Sequence, residues 1–274
     1  DFALVVTFHD FGFTCPCRWS TIHAGGICDS PLTGMCVFCG RHTYGLARSV
    51  LAYLGVRMHR DLECDTIVFT NPNLADQMRC LKGTKVYLQH PVDTAFYRPL
   101  NVKVHGNRIL CWVKLEKGKG IETIFRLSER LNEYDFDIPF VGQFKEYYRS
   151  IKPNNVRMIP EIKLQDIPKT INGYPMILGQ FHIGVFGLAE LEAMSCGRPV
   201  IAYWNRRYDR FYDEPCPIMS AKGVDEVAHL IRKGIGNDAL GRANRLWTLK
   251  YHAAPKVVGK LFTIYEDTLM RRKG

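Results

Sequence analysis

Short apolar runs alternate with amphipathic stretches along most of the chain. An apolar run bounded by turn residues is typical of a buried strand, whereas apolar positions three or four residues apart are typical of a helix. The runs predict strands at 2–8, 66–70, 85–88, 108–113, 137–141, 156–159, 176–178 and 199–204. Helical spacing predicts helices at about 44–54, 71–80, 121–131, 224–233 and 257–268.

This alternation of strands and helices favours parallel sheets, so we predict an α/β protein with two sheet domains. The first domain is placed at 1–100 and includes an aperiodic Gly-, Cys- and Pro-rich loop at 10–40. The second is placed at 101–250, after a junction near 95–106. Because the chain opens inside an apolar strand with Asp1 rather than Met, we expect the first domain to be incomplete.

The net charge of +10 is unevenly distributed. Residues 1–100 carry nine Lys and Arg against eight Asp and Glu, whereas 101–274 carry 28 against 19. A basic second half suits an anionic ligand, an anionic membrane face or nucleic acid. The alternative is that most of these charges belong to ordinary solvated lysine and arginine side chains. No apolar run is long enough for a transmembrane helix and no secretory signal pattern is present, which favours a cytoplasmic protein.

Five of the ten cysteines are clustered in the first 40 residues. The scattered remainder, in a chain without a secretory signal, indicates a reducing compartment. The cluster contains one C-x-x-C pair, which is half of a typical zinc site, and its other spacings match no standard zinc motif. Two hypotheses stay open for this cluster: its cysteines form a structural zinc site, or they are reduced or paired loop cysteines. The cluster comprises Cys15, Cys17, Cys28, Cys36 and Cys39.

The segment 184–202 carries the most informative pattern in the chain. It combines a glycine-rich turn, a short helix, a glycine stop and a buried strand. Such a turn directs unpaired backbone N–H groups at the start of a helix toward an anion. Gly184 and Gly187 bracket Phe186 in this turn, which predicts a site for a phosphorylated ligand. A plain strand-to-helix turn is the alternative, because glycine turns are common.

Two lysines flank the turn that follows the predicted strand 108–113. Ligands of open α/β sheets bind at the carboxyl ends of the strands. Two ammonium groups beside a glycine backbone there can hold a diphosphate, which makes Lys114 and Lys119 candidate binding residues. The alternative is a solvated basic loop.

Glu190 and Glu192 lie about 200° apart around the short helix, so at most one of them faces a ligand. Glu192 shares a face with Leu188 and Cys196, where a ribose diol would be a suitable partner for a carboxylate; a surface position or an arginine partner is the alternative. His9 ends the first predicted strand, where it either donates to a phosphate or sugar oxygen or bonds to the backbone as a core histidine.

Together these segments resemble the retaining GT-B glycosyltransferases of family 4, also called glycosyl transferases group 1. Residues 186–202 are similar to the family's FGLxxLEAMACGxPVIA, and 113–123 to its GRLxxEKGIDT. Three further similarities to family motifs are less specific. Residues 5–16 resemble HDFxFxCP, residues 86–93 resemble IPNPVD, and residues 247–252 resemble the C-terminal segment of the family. The resemblance covers nearly the whole chain.

The resemblance implies two Rossmann-like domains that face a cleft, with a nucleotide-sugar donor held mainly by the second domain. It implies that Lys114 and Lys119 bind the donor diphosphate, and that His9 reaches the donor sugar or its phosphate from the opposite domain. It also implies that the final segment, 251–274, packs back toward the first domain. Lys114 stands where the family usually has arginine, so the charge is kept and bidentate contact is lost.

The same likeness implies that Glu192 accepts the ribose hydroxyls. The backbone N–H groups of Phe186, Gly187 and Leu188 would then meet the distal phosphate and the sugar. One departure concerns the family's first motif glutamate, which contacts the sugar and stands eight residues before Glu192. This chain has Gly184 at that position.

The implied activity is a retaining, metal-independent transfer of a sugar from a nucleoside-diphosphate sugar to an acceptor hydroxyl. Catalysis would rest on positioning and charge rather than on a strong side-chain base, with His9, Lys114 and Lys119 as the catalytic residues. The implied partners are the nucleotide-sugar donor, as substrate rather than cofactor, and a glycan, lipid-linked or small-molecule acceptor in polysaccharide or glycolipid biosynthesis. Peripheral contact with an anionic inner membrane face also fits the basic charge.

Three other hypotheses stay open. The chain could be a non-catalytic GT-B protein that binds sugar nucleotides or polysaccharide, or a GT-B sugar-nucleotide epimerase. The cysteine cluster and the charge suggest a zinc-bearing nucleic-acid binder. The near-neutral charge of the cysteine-rich half disfavours that last hypothesis, so we expect no nucleic-acid partner.

Overall fold

The computed structural model describes residues 2–9, 15, 28, 33–59, 63–78 and 81–273. The chain divides into two compact units. Residues Asp1–His90 and Val257–Gly274 form the first, and Pro91–Lys256 form the second. Each unit contains a parallel sheet with helices between its strands, which confirms the predicted α/β class.

The first unit contains a three-stranded parallel sheet in the order β1-β2-β3. Its strands are β1 (Val5–Phe8), β2 (Thr66–Phe69) and β3 (Thr84–Tyr87). In register, Val5 lies opposite Thr66, which in turn lies opposite Thr84. The helices described in this unit are α1 (Met35–Tyr44), α2 (Leu46–His59), α3 (Leu74–Gln77) and most of α10 (Ala254–Lys273).

Helix α10 packs on this sheet through the apolar face that its sequence predicts. Val257 and Ile264, seven residues apart, join Val68 of β2 and Leu88 in one buried cluster. The next residue on that face is Thr268. Its Oγ1 shares a buried 2.7 Å hydrogen bond with the Oγ1 of Thr66. Residues that recur at helical spacing form one stripe, and this stripe is the buried face of the helix.

The cysteine-rich region differs from its prediction. Residues 35–40 were expected to continue an aperiodic loop, but they form the first part of α1. The helix expected at 44–54 is instead the second of two helices, because Gly45 separates α1 from α2. The apolar side chains of α1 are interspersed with Cys and Gly, which hides a helical period. Most of 10–32 lies outside the described residues.

The second unit contains a six-stranded parallel sheet. Its strands are β4 (Arg108–Cys111), β5 (Asp135–Pro139), β6 (Val156–Ile159), β7 (Ile177–Leu178), β8 (Val200–Ala202) and β9 (Met219–Ser220). Its helices are α4 (Ile121–Arg130), α5 (Lys145–Ile151), α6 (Ile167–Asn172), α7 (Leu188–Ser195), α8 (Val224–Gly234) and α9 (Asp238–Tyr251). Short 3₁₀ helices cover Lys117–Lys119, Leu164–Asp166 and Arg206–Phe211.

The six strands lie in the order β6-β5-β4-β7-β8-β9, which is the order of a doubly wound Rossmann sheet. Strand β4 therefore has β5 on one side and β7 on the other. The chain leaves β4 toward one half of the sheet and leaves β7 toward the other half. A crevice forms at the carboxyl ends of two strands related in this way, and it is the usual ligand site of such sheets.

Both faces of this sheet are buried under helices. Along β4, Ile109 and Cys111 belong to one core cluster and Leu110 belongs to the other, and all three are fully buried. Successive side chains of a strand point to opposite faces, so a continuous apolar run fits a strand covered on both sides. Helix α4 covers one face with an apolar stripe that contains Ile121, Ile124 and Leu127.

Four elements of the second unit were not predicted from the pattern of apolar residues: α5, α6, α9 and β9. Helices α5 and α6 are seven and six residues long, and β9 is two residues long. Elements this short offer too few positions for a period to be recognised. Among the helices of the described part of the chain, none has the length and hydropathy of a transmembrane segment.

Candidate functional site

The predicted binding residues of the second unit lie at the carboxyl edge of its sheet, on the two turns that border the crevice between β4 and β7. Lys114 and Lys119 follow β4, and the glycine-rich segment 184–188 follows β7. The two strands are neighbours, since the N–H group of Trp112 donates to the carbonyl of Leu178 at 2.8 Å. The fold thus brings together segments about 70 residues apart in the sequence.

The turn after β4 is anchored by one fully buried residue, Leu115. Its N–H group donates to the carbonyl of Val141 at 2.7 Å, and its own carbonyl accepts from Phe144 at 3.0 Å. Lys114, next to this anchor, is exposed, and Lys119 is half-buried. Neither ammonium group has a carboxylate partner in the described part of the chain, so both charges are available to an anion.

The turn after β7 is organised by the side chain of Gln180, which is only 3% exposed. Its Oε1 accepts from the N–H groups of His182 at 3.1 Å and Ile183 at 2.9 Å, and its Nε2 donates to the carbonyl of Val185 at 2.6 Å. One amide therefore pairs three backbone groups of an irregular segment. Sequence reasoning missed Gln180, although a polar residue directly after a buried strand was a usable signal.

Glu190 completes this organisation from the first turn of α7. Its Oε1 accepts from the backbone N–H of Gln180 and its Oε2 from that of Gly187, each at 2.8 Å. The carboxylate is buried at 3% exposure, and Gly179 leaves the space for it, since a Cβ there would lie 2.5 Å from Oε1. Glu190 is therefore a structural residue that holds the turn against the start of α7.

The start of α7 keeps unpaired N–H groups, though not all of those predicted. The N–H of Gly187, expected to meet an anion, is already donated to Glu190. Those of Phe186, Leu188 and Ala189 have no acceptor in the described part of the chain. The Phe186 ring stacks on Trp204 with centroids 4.0 Å apart, so its side chain belongs to the core and only its backbone can serve a ligand.

Glu192 lies two residues beyond Glu190 and is half-buried rather than enclosed. The indole N–H of Trp112 donates to its Oε2 at 3.4 Å, and the hydroxyl of Tyr97 donates to the same carboxylate. Burial raises the pKa of Glu192, the two hydrogen bonds oppose that increase, and the charge of Glu190 adds to it. Trp112 and Tyr97 therefore orient a carboxylate that is still open to a ligand.

We expect Glu192→Gln to leave the protein at least as stable as the parent at pH 7.5. Because the folded-state pKa lies above that of the unfolded chain, stability is lost as pH rises through the folded pKa, and glutamine removes that loss. The thermal midpoints should converge below about pH 4.5, where the carboxyl is neutral in both states. A variant that is much less stable than the parent at pH 7.5 would contradict this prediction.

His9 lies in the first unit and is exposed at the carboxyl end of β1. His90, which follows β3, lies at the same edge of that sheet. Burial, and then the nearby charge of His9, lower the pKa of His90. The two histidines thus mark the carboxyl edge of the first sheet, and the role of His9 toward a donor stays a prediction.

The cysteine cluster is only partly within the described residues. Cys15, Cys36 and Cys39 carry free thiols, Cys28 is half-buried, and Cys17 lies outside the described part of the chain. In the described part, no three His, Cys, Asp or Glu side chains are grouped as metal ligands. A zinc role for this cluster stays a prediction.

Several solved structures with a similar fold are glycosyltransferases. HepE from Anabaena, in complex with UDP and glucose, matches with a TM-score of 0.67 at 12% identity, over 96% of this chain and 71% of that one. Sucrose-phosphate synthase from Thermosynechococcus elongatus matches with a TM-score of 0.66 at 15% identity, over 81% and 62%. The chain has the GT-B fold.

A third match is the pneumococcal O-GlcNAc transferase GtfA, in complex with UDP and GlcNAc, with a TM-score of 0.56 and 15% identity. It covers 75% of this chain and 46% of that one, so the present chain spans between about half and two thirds of the length of GtfA and the synthase. No protein-family model matches the chain, and no curated protein matches its sequence.

Proposed function

We propose that the chain transfers a sugar from a nucleoside-diphosphate sugar to an acceptor hydroxyl, with retention of configuration and as a member of family 4. One observation carries the proposal. Among the described residues, two lysines without carboxylate partners, N–H groups without acceptors at the start of α7 and an oriented carboxylate, Glu192, border one crevice of a Rossmann sheet. The GT-B fold and the UDP complexes of similar structures support it.

The positive groups match the charge of a diphosphate. Lys114 and Lys119 supply two ammonium groups on one turn, and the N–H groups of Leu188 and Ala189 supply the positive end of the α7 dipole. In a transfer, negative charge grows on the leaving diphosphate as the bond to the anomeric carbon breaks. Groups that are fixed beforehand around that charge lower the barrier without reorganising.

In the proposed reaction, the acceptor oxygen forms a bond to the anomeric carbon on the face that the diphosphate leaves. The acceptor proton passes to an oxygen of the departing diphosphate, so that atoms and charge balance. The chain then needs to hold donor and acceptor in place rather than supply a strong base. His9 is proposed to contact the donor sugar or its phosphate.

Glu192 is proposed to accept both hydroxyls of the donor ribose. A carboxylate with two oxygens suits two neighbouring donors, and hydrogen bonds to a charged acceptor contribute about 1.5–3 kcal/mol each. We therefore expect Glu192→Gln to weaken nucleotide binding by roughly 10- to 100-fold, in contrast to its neutral or favourable effect on stability. Calorimetry with the parent as control measures this contrast.

The proposed reaction is metal-independent. Two aspartates in a D-x-D sequence could hold a metal ion through their carboxylates, and the chain has one such sequence, Asp135-Phe136-Asp137. It lies on β5, whose amino end is at the sheet edge opposite the crevice. Asp137 is fully buried and accepts hydrogen bonds from Arg108, Arg157 and the hydroxyl of Tyr174. Its carboxylate serves this network rather than a donor diphosphate.

The proposal is tested by incubating the protein with UDP-, GDP- and ADP-sugars and a panel of glycan, lipid-linked and small acceptors. We expect one donor to raise the thermal midpoint, and its product to keep the anomeric configuration of the donor by NMR. Binding without transfer or hydrolysis would favour a non-catalytic protein, and an epimerised donor would favour an epimerase. No binding of any nucleotide sugar would overturn the proposal.

A further inference from the structure

Tyr203 lies beside the proposed diphosphate site and is not one of the groups assigned to the diphosphate. It directly follows β8, at the same carboxyl edge of the sheet as the turn after β7. Its N–H group donates to the carbonyl of Gln180 at 2.9 Å, and the N–H of Asn205 donates to the carbonyl of Gly184 at 3.0 Å. The chain around Tyr203 is thus bonded to both ends of that turn.

The ring of Tyr203 occupies the space that a side chain at position 184 would need. A Cβ on Gly184 would lie 2.7 Å from Cε1 of Tyr203 and 3.1 Å from its Cδ1. Real Cβ atoms do not approach other atoms to 2.7 Å. Gly184 also has a φ of +74°, in the region that side chains disfavour. Residue 184 is therefore glycine because Tyr203 fills its place at the turn.

The polar end of Tyr203 is open. The residue is half-buried, and its hydroxyl has no hydrogen-bond partner in the described part of the chain. The ammonium of Lys222 lies 5.3 Å from the ring centroid, a distance at which a cation is attracted to an aromatic face. A phenol in this setting can donate to or accept from a ligand hydroxyl while its carbon edge contacts apolar C–H groups.

We propose that Tyr203 is a specificity-determining residue that contacts the sugar of the bound donor. The inference rests on the proposed function, because it needs a nucleotide sugar in the crevice. We assign the distal phosphate of the donor to the N–H groups of Leu188 and Ala189 at the start of α7, four and five residues beyond Gly184. The sugar is bonded to that phosphate, so it lies within reach of the residue that packs on Gly184.

The assignment gives Tyr203 a contact with the sugar and none with the nucleotide. Its loss should therefore change the affinity for a nucleotide sugar and not that for the nucleoside diphosphate alone. A purely structural tyrosine would change both together or neither. The ratio of the two dissociation constants separates these cases, because any general loss of folded protein cancels in it.

The experiment measures both dissociation constants by calorimetry for the parent, Tyr203→Phe and Tyr203→Ala. The ligands are the nucleoside diphosphate and the nucleotide sugar that the parent binds best among UDP, GDP and ADP forms. Tyr134→Phe is the matched control, since Tyr134 is also half-buried but precedes β5 at the opposite edge of the sheet. Tyr203→Phe keeps the ring and removes only the hydroxyl.

For Tyr203→Phe, we expect the nucleotide-sugar affinity to fall about three- to tenfold, as for one lost neutral hydrogen bond, with the diphosphate affinity within twofold of the parent. Tyr203→Ala should lose more of the nucleotide-sugar affinity. Its affinities for different sugars on the same base should also differ less than those of the parent. Ratios within twofold of the parent for both variants overturn the inference while the proposed function stands. A parent that binds no nucleoside diphosphate overturns the proposed function itself.

Discussion

Replacing Lys119 with alanine is expected to lower turnover by about 100-fold. The half-buried ammonium has no carboxylate partner in the described part of the chain and lies beside the crevice where the diphosphate is proposed to bind. Loss of one preorganised group that stabilises charge in a transition state typically costs about 10²–10³ in turnover. Such a loss corresponds to roughly 2.7–4 kcal/mol of barrier.

The measurement is a steady-state transfer assay with the donor that the parent accepts. Lys163→Ala is the matched control, because Lys163 is an exposed lysine of the same unit that follows β6, and β5 separates that strand from β4 in the sheet. The control should retain the parent turnover. If Lys119→Ala stays within a factor of two of the parent, the assigned role of Lys119 is wrong.

Replacing Glu190 with leucine is expected to lower the free energy of unfolding by about 3 kcal/mol. The backbone N–H of Gln180, which is buried, and that of Gly187, which is partly buried, would both lose their acceptors. Each buried, unpaired group costs about 1–3 kcal/mol. For a unit of this size the thermal midpoint should fall by roughly 10 °C.

Glu190→Gln separates the two hydrogen bonds. The amide keeps one acceptor oxygen and turns its NH₂ group toward the other N–H, so the loss should be intermediate. Glu192→Gln, two residues away on the same helix, serves as the control and should not lower stability at neutral pH. A Glu190→Leu variant within about 0.5 kcal/mol of the parent in urea unfolding would contradict the structural role of Glu190.

The two glutamates show how far helix geometry alone could go. Their spacing established that at most one faces a ligand, and the assignment of Glu192 rested on resemblance. The structure separates them by their partners, since Glu190 bonds to buried backbone and Glu192 to two side-chain donors. Those partners come from segments up to about 95 residues away, which no local pattern includes.

Position 184 shows a second limit of prediction from sequence. In the sequence, Gly184 stands where the resemblance to family 4 leads one to expect a glutamate. In the structure the position is occupied from outside by the ring of Tyr203, which lies 19 residues later in the chain. Whether a side chain fits at a turn depends on what packs against it, and that is decided only when β7 and β8 lie side by side.

The sequence by itself determined the α/β class, the strands of both sheets apart from the two-residue β9, and the glycine-rich turn before α7. These features follow from local periods of apolar residues and from backbone preferences, which act over a few neighbouring residues. The tertiary structure alone decided which strands are neighbours, where the crevice opens, and that Gln180 and Glu190 hold its wall. These depend on contacts between distant segments, and contacts of that kind form only when the sheet is assembled.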